Sequence, residues 1–166
     1  MVLMSDDWID QGLRRMRERE EQLRLASAQR LHHATVIKDR GTDLMRHLVA
    51  AVGAAVNDYK RRAPSGGEEI EFEALPREGF VITRTRLPRV TLECRPGYET
   101  HVLYCNRTRT EDHESAPQEF VFTLSMTVDE SDAIVLGDQT RAFLNLGEVI
   151  EYLLKPVFFP TLDQGA

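Results

Sequence analysis

Apolar residues in the first third of the chain recur at intervals of three and four positions. This spacing is the repeat of an α-helix that has one apolar side. No proline interrupts residues 7–62. The pattern therefore predicts one long helix over this range, and its apolar positions are Ile9, Leu13, Met16, Leu23, Ala34, Ile37, Leu44, Leu48, Ala51 and Ala55.

Two features interrupt the apolar stripe of this helix. Glu20, Ser27 and Arg30 occupy positions within the stripe, so a coiled coil along its whole length would be weak. We therefore expect the two ends of the helix to pack against different surfaces. Gly41 is a residue type that often ends helices, and Thr42 is one that often begins them. A kink or break near residues 40–43 is therefore an open alternative.

The pattern changes from a period of three and four to a period of two after Gly67. Alternation of apolar and polar residues is typical of half-buried β-strands. The short connections between these segments indicate an antiparallel meander of six or seven strands. The segments are 69–74, 79–86, 89–95, 100–108, 118–128, 133–137 and 140–144.

The register of the first hairpin can be predicted from burial. Pairing Glu71 with Arg84 and Glu69 with Arg86 would form two surface ion pairs of roughly 0.2–1 kcal/mol each. A shift by one residue instead unites Phe72 with Ile82 on one face, at about 1.5–3 kcal/mol per buried side chain. Burial contributes more than the two ion pairs, so we expect the shifted register and a five-residue or bulged connection over residues 75–79.

The last predicted element is a capped amphipathic helix. Asn145 and Glu148 have the spacing of a capping box, and an apolar stripe follows them. Val157-Phe158-Phe159 lies between two prolines and is expected to form an apolar tail that docks on its own core or on a partner.

The fold class predicted from these patterns is α+β. It consists of a long N-terminal helix, an antiparallel meander of about 6–7 strands and a C-terminal amphipathic helix packed on the sheet. Residues 1–62 form the helical segment and residues 68–166 the sheet with its helix, within one structural domain overall.

Charge divides the chain at the same place as the hydrophobic pattern. The formal net charge is −6. Residues 1–62 carry 12 basic and 9 acidic side chains, whereas residues 63–166 carry 9 and 18. This contrast suggests that the first part lies against something acidic, such as the second part of a neighbouring copy. The N-terminus lacks the pattern of a secretory signal, and the longest apolar run has nine residues, so we expect a cytoplasmic protein.

Metal and disulfide chemistry are not expected. A short hairpin turn at Pro96-Gly97 would place Cys94 and Cys105 several residues apart along the ladder, near 13 Å at roughly 3.3 Å per residue. That distance exceeds the roughly 7 Å limit on the Cα separation of a disulfide. His32 and His33 are adjacent on a helix and point about 100° apart. We therefore predict two buried thiols, no metal site and no cofactor.

Basic residues form two candidate clusters. The run of arginines from Arg14 is interleaved with glutamates, which favours a solvated helix face over nucleic-acid binding. The second cluster lies on predicted strands, where alternation would place arginines in pairs on a solvent-facing surface. They would bind an anion or pair with nearby carboxylates. Its members are Arg84, Arg86, Arg89, Arg107 and Arg109.

Seven strands followed by one capped helix resemble the architecture of pleckstrin-homology domains. The resemblance covers residues 69–156. That family keeps basic residues on its second strand, where this chain has Arg84-Thr85-Arg86. The resemblance implies a site for an anionic headgroup on that strand. The chain departs from the family in its closing helix, which lacks the family's tryptophan, since Trp8 is the only tryptophan.

The sequence contains none of the common catalytic templates, so we expect a non-enzymatic protein rather than an enzyme. The leading hypothesis is an interaction or assembly protein that forms homo-oligomers or binds a protein partner through its N-terminal helix. The predicted interface residues are Trp8, Ile9, Leu13, Met16, Leu23, Phe158 and Phe159. The alternative is a module that binds an anion or lipid headgroup through the strand arginines.

Overall fold

The structure, a computed structural model, describes residues 5–63 and 67–162. The chain divides into two compact units, residues 1–35 and 36–166. The elements of the described residues confirm the predicted α+β class. They are α1 (Ser5–Arg62), β1 (Ile70–Leu75), β2 (Gly79–Arg84), β3 (Arg89–Gly97), β4 (Val102–Thr110), β5 (Gln118–Val128), β6 (Ile134–Gly137) and α2 (Leu146–Phe158). The predicted organisation into residues 1–62 and 68–166 stays a prediction.

Helix α1 runs through residues 40–43 without the break that the sequence left open. Gly41 does not cap a helix but allows close packing, since a Cβ atom at this position would lie 3.0 Å from Cδ1 of Tyr98. Helix α1 ends at Arg62, where the predicted helical range also ends, and residues 64–66 lie outside the described residues. Within residues 36–62 it buries Val36, Ile37, Met45, Leu48, Val52 and Val56.

The six strands form one antiparallel sheet in the order β1-β2-β3-β4-β5-β6, which confirms the meander. The segment 140–144 is not a seventh strand, because it contributes only one isolated bridge between Gly137 and Ala142. Asp138 explains this departure: its carboxylate accepts hydrogen bonds from the backbone N–H groups of Thr140 and Arg141 and closes a turn. One six-stranded sheet therefore replaces the seven strands of the pleckstrin-homology resemblance.

The first hairpin has the register that burial predicts. Phe72 pairs with Ile82, and Leu75 pairs with Gly79 across a short helical turn, Pro76–Glu78. Glu69 precedes β1 and still contacts Arg86, at 2.8 Å. The competing ion pair therefore forms outside the ladder and does not shift the register.

The hydrophobic core lies between one face of the sheet and both helices. Phe80, Leu92, Leu103 and Leu124 are fully buried on this inner face. Phe72 contacts α1 at Gly53. The inner face also receives α2, whose buried residues are Val149, Leu153, Leu154 and Val157.

Strand β5 is longer than its outer neighbour. Strand β6 pairs only with Ser125–Val128, whereas β4 pairs with β5 from Gln118 to Ser125. Phe120 belongs to the inner face by alternation, but it remains 53% exposed because it lies beyond the core. Of the residues that alternation places on the inner face of this strand, Leu124 and Met126 are therefore buried and Phe120 is not.

Helix α2 begins as the capping pattern predicts. The side chain of Asn145 accepts a hydrogen bond from the backbone N–H of Glu148 at 3.0 Å, and the Glu148 carboxylate accepts one from the N–H of Leu144 at 2.8 Å. The helix continues through Pro156 to Phe158. Across the described residues, neither helix has a stretch apolar and long enough to traverse a lipid bilayer.

Candidate functional site

The first unit presents an uncovered row of apolar side chains on α1. We define the helix stripe as Trp8, Ile9, Leu13, Met16 and Leu23. Their exposed fractions range from 44% to 67%. Four of them follow the helical spacing of three, four or seven and so share one side of the helix. Among the described residues of this unit no side chain is buried, so the stripe has no core to cover it.

The charges beside the helix stripe are distributed unevenly along α1. Asp7 and Asp10 lie in its first turns, whereas Arg24 and Arg30 lie further along. Glu21 forms an exposed ion pair with Arg24 at 2.6 Å, within the helix itself. The beginning of the helix is therefore acidic and its middle is mainly basic.

The structure places the other two predicted interface residues in the second unit. The ring of Phe158 stacks on that of Tyr59, with 4.5 Å between centroids, and packs against the core. Phe159 contacts Tyr59 edge-on at 5.9 Å and stays 44% exposed. Of the two alternatives for the apolar tail, Phe158 docks on its own core, and only Phe159 offers a free apolar surface.

Two of the five predicted anion-binding arginines share one carboxylate. Arg84 lies 3.5 Å and Arg86 2.8 Å from Glu69. The Arg84 side chain is only 13% exposed, and its buried Nε has no hydrogen-bond partner. The hydrogen bond and charge of Glu69 raise the pKa of Arg86. This carboxylate therefore already balances one of the two guanidinium charges and competes with an external anion for both arginines.

The expectation that Arg107 and Arg109 face solvent in a strand pair is wrong. They alternate on the inner face, where Arg107 pairs with Leu92 and Arg109 with Val90 across the ladder. Arg109 contacts Glu111 and donates to the carbonyl of Pro160 at 2.7 Å. Arg107 lies over the ring of Phe120, at 5.1 Å from its centroid. Arg89 is exposed at the start of β3.

The structure brings Arg107 together with residues that the sequence did not single out. A cavity of about 510 Å³ is lined by Arg107, Phe120, Arg141, Tyr152 and Lys155, with Glu148 and Glu151 also on its walls. One sequence pattern did point to part of this cavity. The polar side of α2 carries Glu148, Glu151 and Lys155 at helical spacing. No sequence pattern linked that side of α2 to β5.

Cys94 and Cys105 are direct cross-strand neighbours, which corrects the 13 Å separation expected from the sequence. Their Sγ atoms are 3.6 Å apart, and both thiols are free and buried. The hairpin turns at residues 98–101, and Gly97 pairs with Val102, so the turn lies further along the chain than Pro96-Gly97. The hydrogen bond to Cys105, together with burial, raises the pKa of the Cys94 thiol well above its usual range.

We expect both thiols to resist alkylation in the folded protein. Only a thiolate reacts, burial keeps the reagent away from both sulfur atoms, and the raised pKa of Cys94 disfavours its thiolate. Iodoacetamide should modify the native protein on the order of 100-fold more slowly than the same protein in denaturant. Mass spectrometry over time measures this ratio. Equal rates in the two conditions would contradict the burial of the pair.

Groups suited to acid–base or metal chemistry are scattered or exposed. Asp112 lies in an exposed loop, where hydrogen bonds from the Ser115 side chain and from backbone N–H groups lower its pKa. His32 and His33 lie side by side on α1 with ring centroids 6.2 Å apart. Within residues 5–63 and 67–162, no cluster of three His, Cys, Asp or Glu side chains could hold a metal ion.

No known protein family, curated protein or solved structure matches this chain.

Proposed function

We propose that this protein is a non-enzymatic assembly protein that forms homo-oligomers through the helix stripe. The observation that supports the proposal is the exposure of five large apolar side chains on one helix of the first unit. Contiguous exposed apolar surface on this scale is typical of protein–protein interfaces. A helix without tertiary packing is also marginal in water, so association would stabilise the first unit itself.

A second copy of the same helix, in antiparallel orientation, fits the charges best. Antiparallel pairing of the segment from Trp8 to Leu23 would place Asp7 beside Arg24 of the other copy. Parallel pairing would instead place these like charges side by side. Each apolar side chain buried in this way contributes about 1.5–3 kcal/mol.

Polar residues in the stripe limit the extent of such an interface. Ser27 and Arg30 interrupt the apolar spacing beyond Leu23, so burial is confined to the segment from Trp8 to Leu23, and Glu20 leaves a polar gap inside it. An assembly of moderate affinity that responds to concentration is therefore expected. The two free thiols of the second unit fit a reducing compartment, and the proposal assigns the assembly to the cytoplasm.

Replacing Leu23 by glutamate tests the proposal. Leu23 is 60% exposed, so the change should not disturb the folding of the second unit. Loss of two buried side chains per dimer, at about 1.5 kcal/mol each, should raise the dissociation constant by roughly 100-fold. Analytical ultracentrifugation of the full chain over a concentration series measures this shift.

Leu25→Glu is the matched control. Leu25 is 58% exposed and lies two residues further along, on nearly the opposite side of the helix. It adds the same charge without touching the stripe, so the dissociation constant should stay unchanged. A wild-type protein that is monomeric at every concentration, or equal effects of the two variants, would remove the proposal.

A further inference from the structure

Cys94 and Cys105 form a closely spaced pair of the antiparallel ladder. Direct partners in such a ladder alternate between pairs that exchange backbone hydrogen bonds and pairs that do not. On the β5 side, the N–H of Met126 donates to the carbonyl of His101 at 2.7 Å. Cys105 lies an even number of positions from His101, so its backbone groups also point toward β5. The backbone of Cys105 therefore makes no hydrogen bond to Cys94.

The strands on the other side of β3 lead to the same result. The N–H of Thr85 donates to the carbonyl of Glu69 at 2.8 Å, just beyond the β1–β2 ladder. Alternation from this pair directs the backbone groups of Phe80 toward its β3 partner, Cys94. The backbone groups of the two cysteines therefore point away from each other, which allows their side chains to approach closely.

This kind of pair has the spacing that a disulfide needs. Partners without backbone hydrogen bonds have Cα atoms about 4.5 Å apart. Disulfides span Cα separations of about 4.4–6.8 Å. The two Sγ atoms are already 3.6 Å apart. Rotation of the two side chains therefore brings the sulfur atoms into bonding distance without a shift of either strand.

The contacts of the two thiols favour a reaction between them over the binding of a metal. The Cys94 thiol donates a hydrogen bond to the sulfur of Cys105, and the Cys105 thiol lies 3.7 Å from the carbonyl oxygen of Leu103. Within residues 5–63 and 67–162, no third His, Cys, Asp or Glu side chain joins them. Structural zinc takes four such ligands. The nearest reactive partner of each sulfur is therefore the other sulfur.

A route for a small oxidant leads to Cys105. Its β5 partner, Phe122, is half-buried and lines a cavity of about 520 Å³. Arg107 follows Cys105 on the same face, and its guanidinium lies 5.8 Å from the centroid of the Phe122 ring. A nearby cation favours a thiolate. Hydrogen peroxide has only two heavy atoms, so local opening at Phe122 admits it where iodoacetamide is too large.

We propose that Cys94 and Cys105 are a redox site at which hydrogen peroxide forms a reversible disulfide within the chain. One thiolate attacks a peroxide oxygen, so an S–O bond forms, the O–O bond breaks and hydroxide leaves. The second sulfur attacks the resulting sulfenic acid, so an S–S bond forms, the S–O bond breaks and the oxygen leaves as water. The two thiols lose two protons and two electrons, and peroxide becomes two molecules of water. A dithiol reverses the reaction by exchange.

Thiol counting tests the proposal on the full chain. The native protein is treated with hydrogen peroxide, cleared of it with catalase, denatured and labelled with N-ethylmaleimide. Both labels should be lost, and incubation with dithiothreitol should restore both. Methionine oxidation changes the mass of the chain but not this count. Two labels after peroxide, or a loss that dithiothreitol does not reverse, overturns the proposal.

Fragment analysis locates the bond. Glu99 lies between the two cysteines, so a glutamate-specific protease separates them unless a disulfide joins the fragments. The oxidised chain should yield the linked fragments and run as a monomer on a denaturing gel without reductant. Disulfide-linked dimers would show bonding between chains and overturn the proposal. The Leu23→Glu variant should form the bond as the wild type does, so failure here and failure of the helix stripe can be told apart.

Unfolding shows whether the bond fits the native sheet. The closed loop is short, and the bond should raise the midpoint of urea denaturation by roughly 1 M. Dithiothreitol, which does not reduce methionine sulfoxide, should return the midpoint to its starting value. Cys94→Ala is the matched control, and peroxide should not raise its midpoint. A lower midpoint in the oxidised wild type, or an equal rise in Cys94→Ala, overturns the proposal.

Discussion

Replacement of Phe80 by alanine is expected to lower the free energy of unfolding by about 3–5 kcal/mol. Phe80 is fully buried on the inner face and is the largest of the fully buried side chains. It lies between its ladder partners Ala74 and Cys94, and its ring is 6.4 Å from that of Phe72. Deleting the ring removes transfer free energy and leaves a cavity that rigid strands cannot close. Urea denaturation followed by circular dichroism measures the loss.

The matched control is Phe120→Ala on the same face of the sheet. Phe120 is 53% exposed and lies beyond the core, so its removal should change the free energy of unfolding by no more than about 0.5 kcal/mol. The m-value should remain that of the wild type in both variants. A loss below about 1 kcal/mol for Phe80→Ala would mean that this face does not form the core.

Glu69→Gln is expected to cost roughly 3 kcal/mol, the low end for breaking a buried ion pair. Glu69 and Arg84 have side chains only 15% and 13% exposed, and the same carboxylate also contacts Arg86. Glutamine keeps the shape but removes the charge, so Arg84 would hold an uncompensated charge away from water. Thermal and urea unfolding of the variant should both show the loss.

A double-mutant cycle separates this effect from a general change at the site. Arg84→Met removes the charge that Glu69 balances, so the double variant should be more stable than the sum of the two single losses predicts. Glu93→Gln is the control, since Glu93 pairs with Arg95 at the surface, where such pairs contribute about 0–1 kcal/mol. Strict additivity of Glu69→Gln and Arg84→Met would show that the pair carries no coupling.

Much of the fold follows from local sequence patterns because those patterns reflect burial. The helical spacing of α1, the cap at Asn145 and the register of the first hairpin each depend on neighbours within a few residues. Alternation also predicts a strand over residues 140–144, where none forms. In the turn at Asp138, the carboxylate accepts hydrogen bonds from the N–H groups of Thr140 and Arg141, which strand pairing would otherwise use. The alternation of apolar and polar residues does not indicate these competing hydrogen bonds.

The candidate surfaces were less accessible from sequence. The helix stripe could be predicted, since spacing alone defines one side of a helix. The arginines could not, because their surroundings depend on which strands are neighbours and where each strand ends. Strand β2 ends at Arg84, so Arg86 no longer follows the alternation of the strand. Arg84 contacts Glu69, which precedes β1 and therefore lies outside the strand pairing. The position of the Cys94–Cys105 pair depended in the same way on where one hairpin turns.

The only tryptophan of the chain, Trp8, lies in the helix stripe, and the second unit has tyrosines instead. The indole is 67% exposed, so its emission in the single chain is that of a hydrated fluorophore. Fluorescence excited selectively at tryptophan therefore reports on the first unit, whereas the circular dichroism of the sheet reports on the second. The protein thus carries a built-in spectroscopic label that distinguishes helix association from unfolding of the sheet without any added dye.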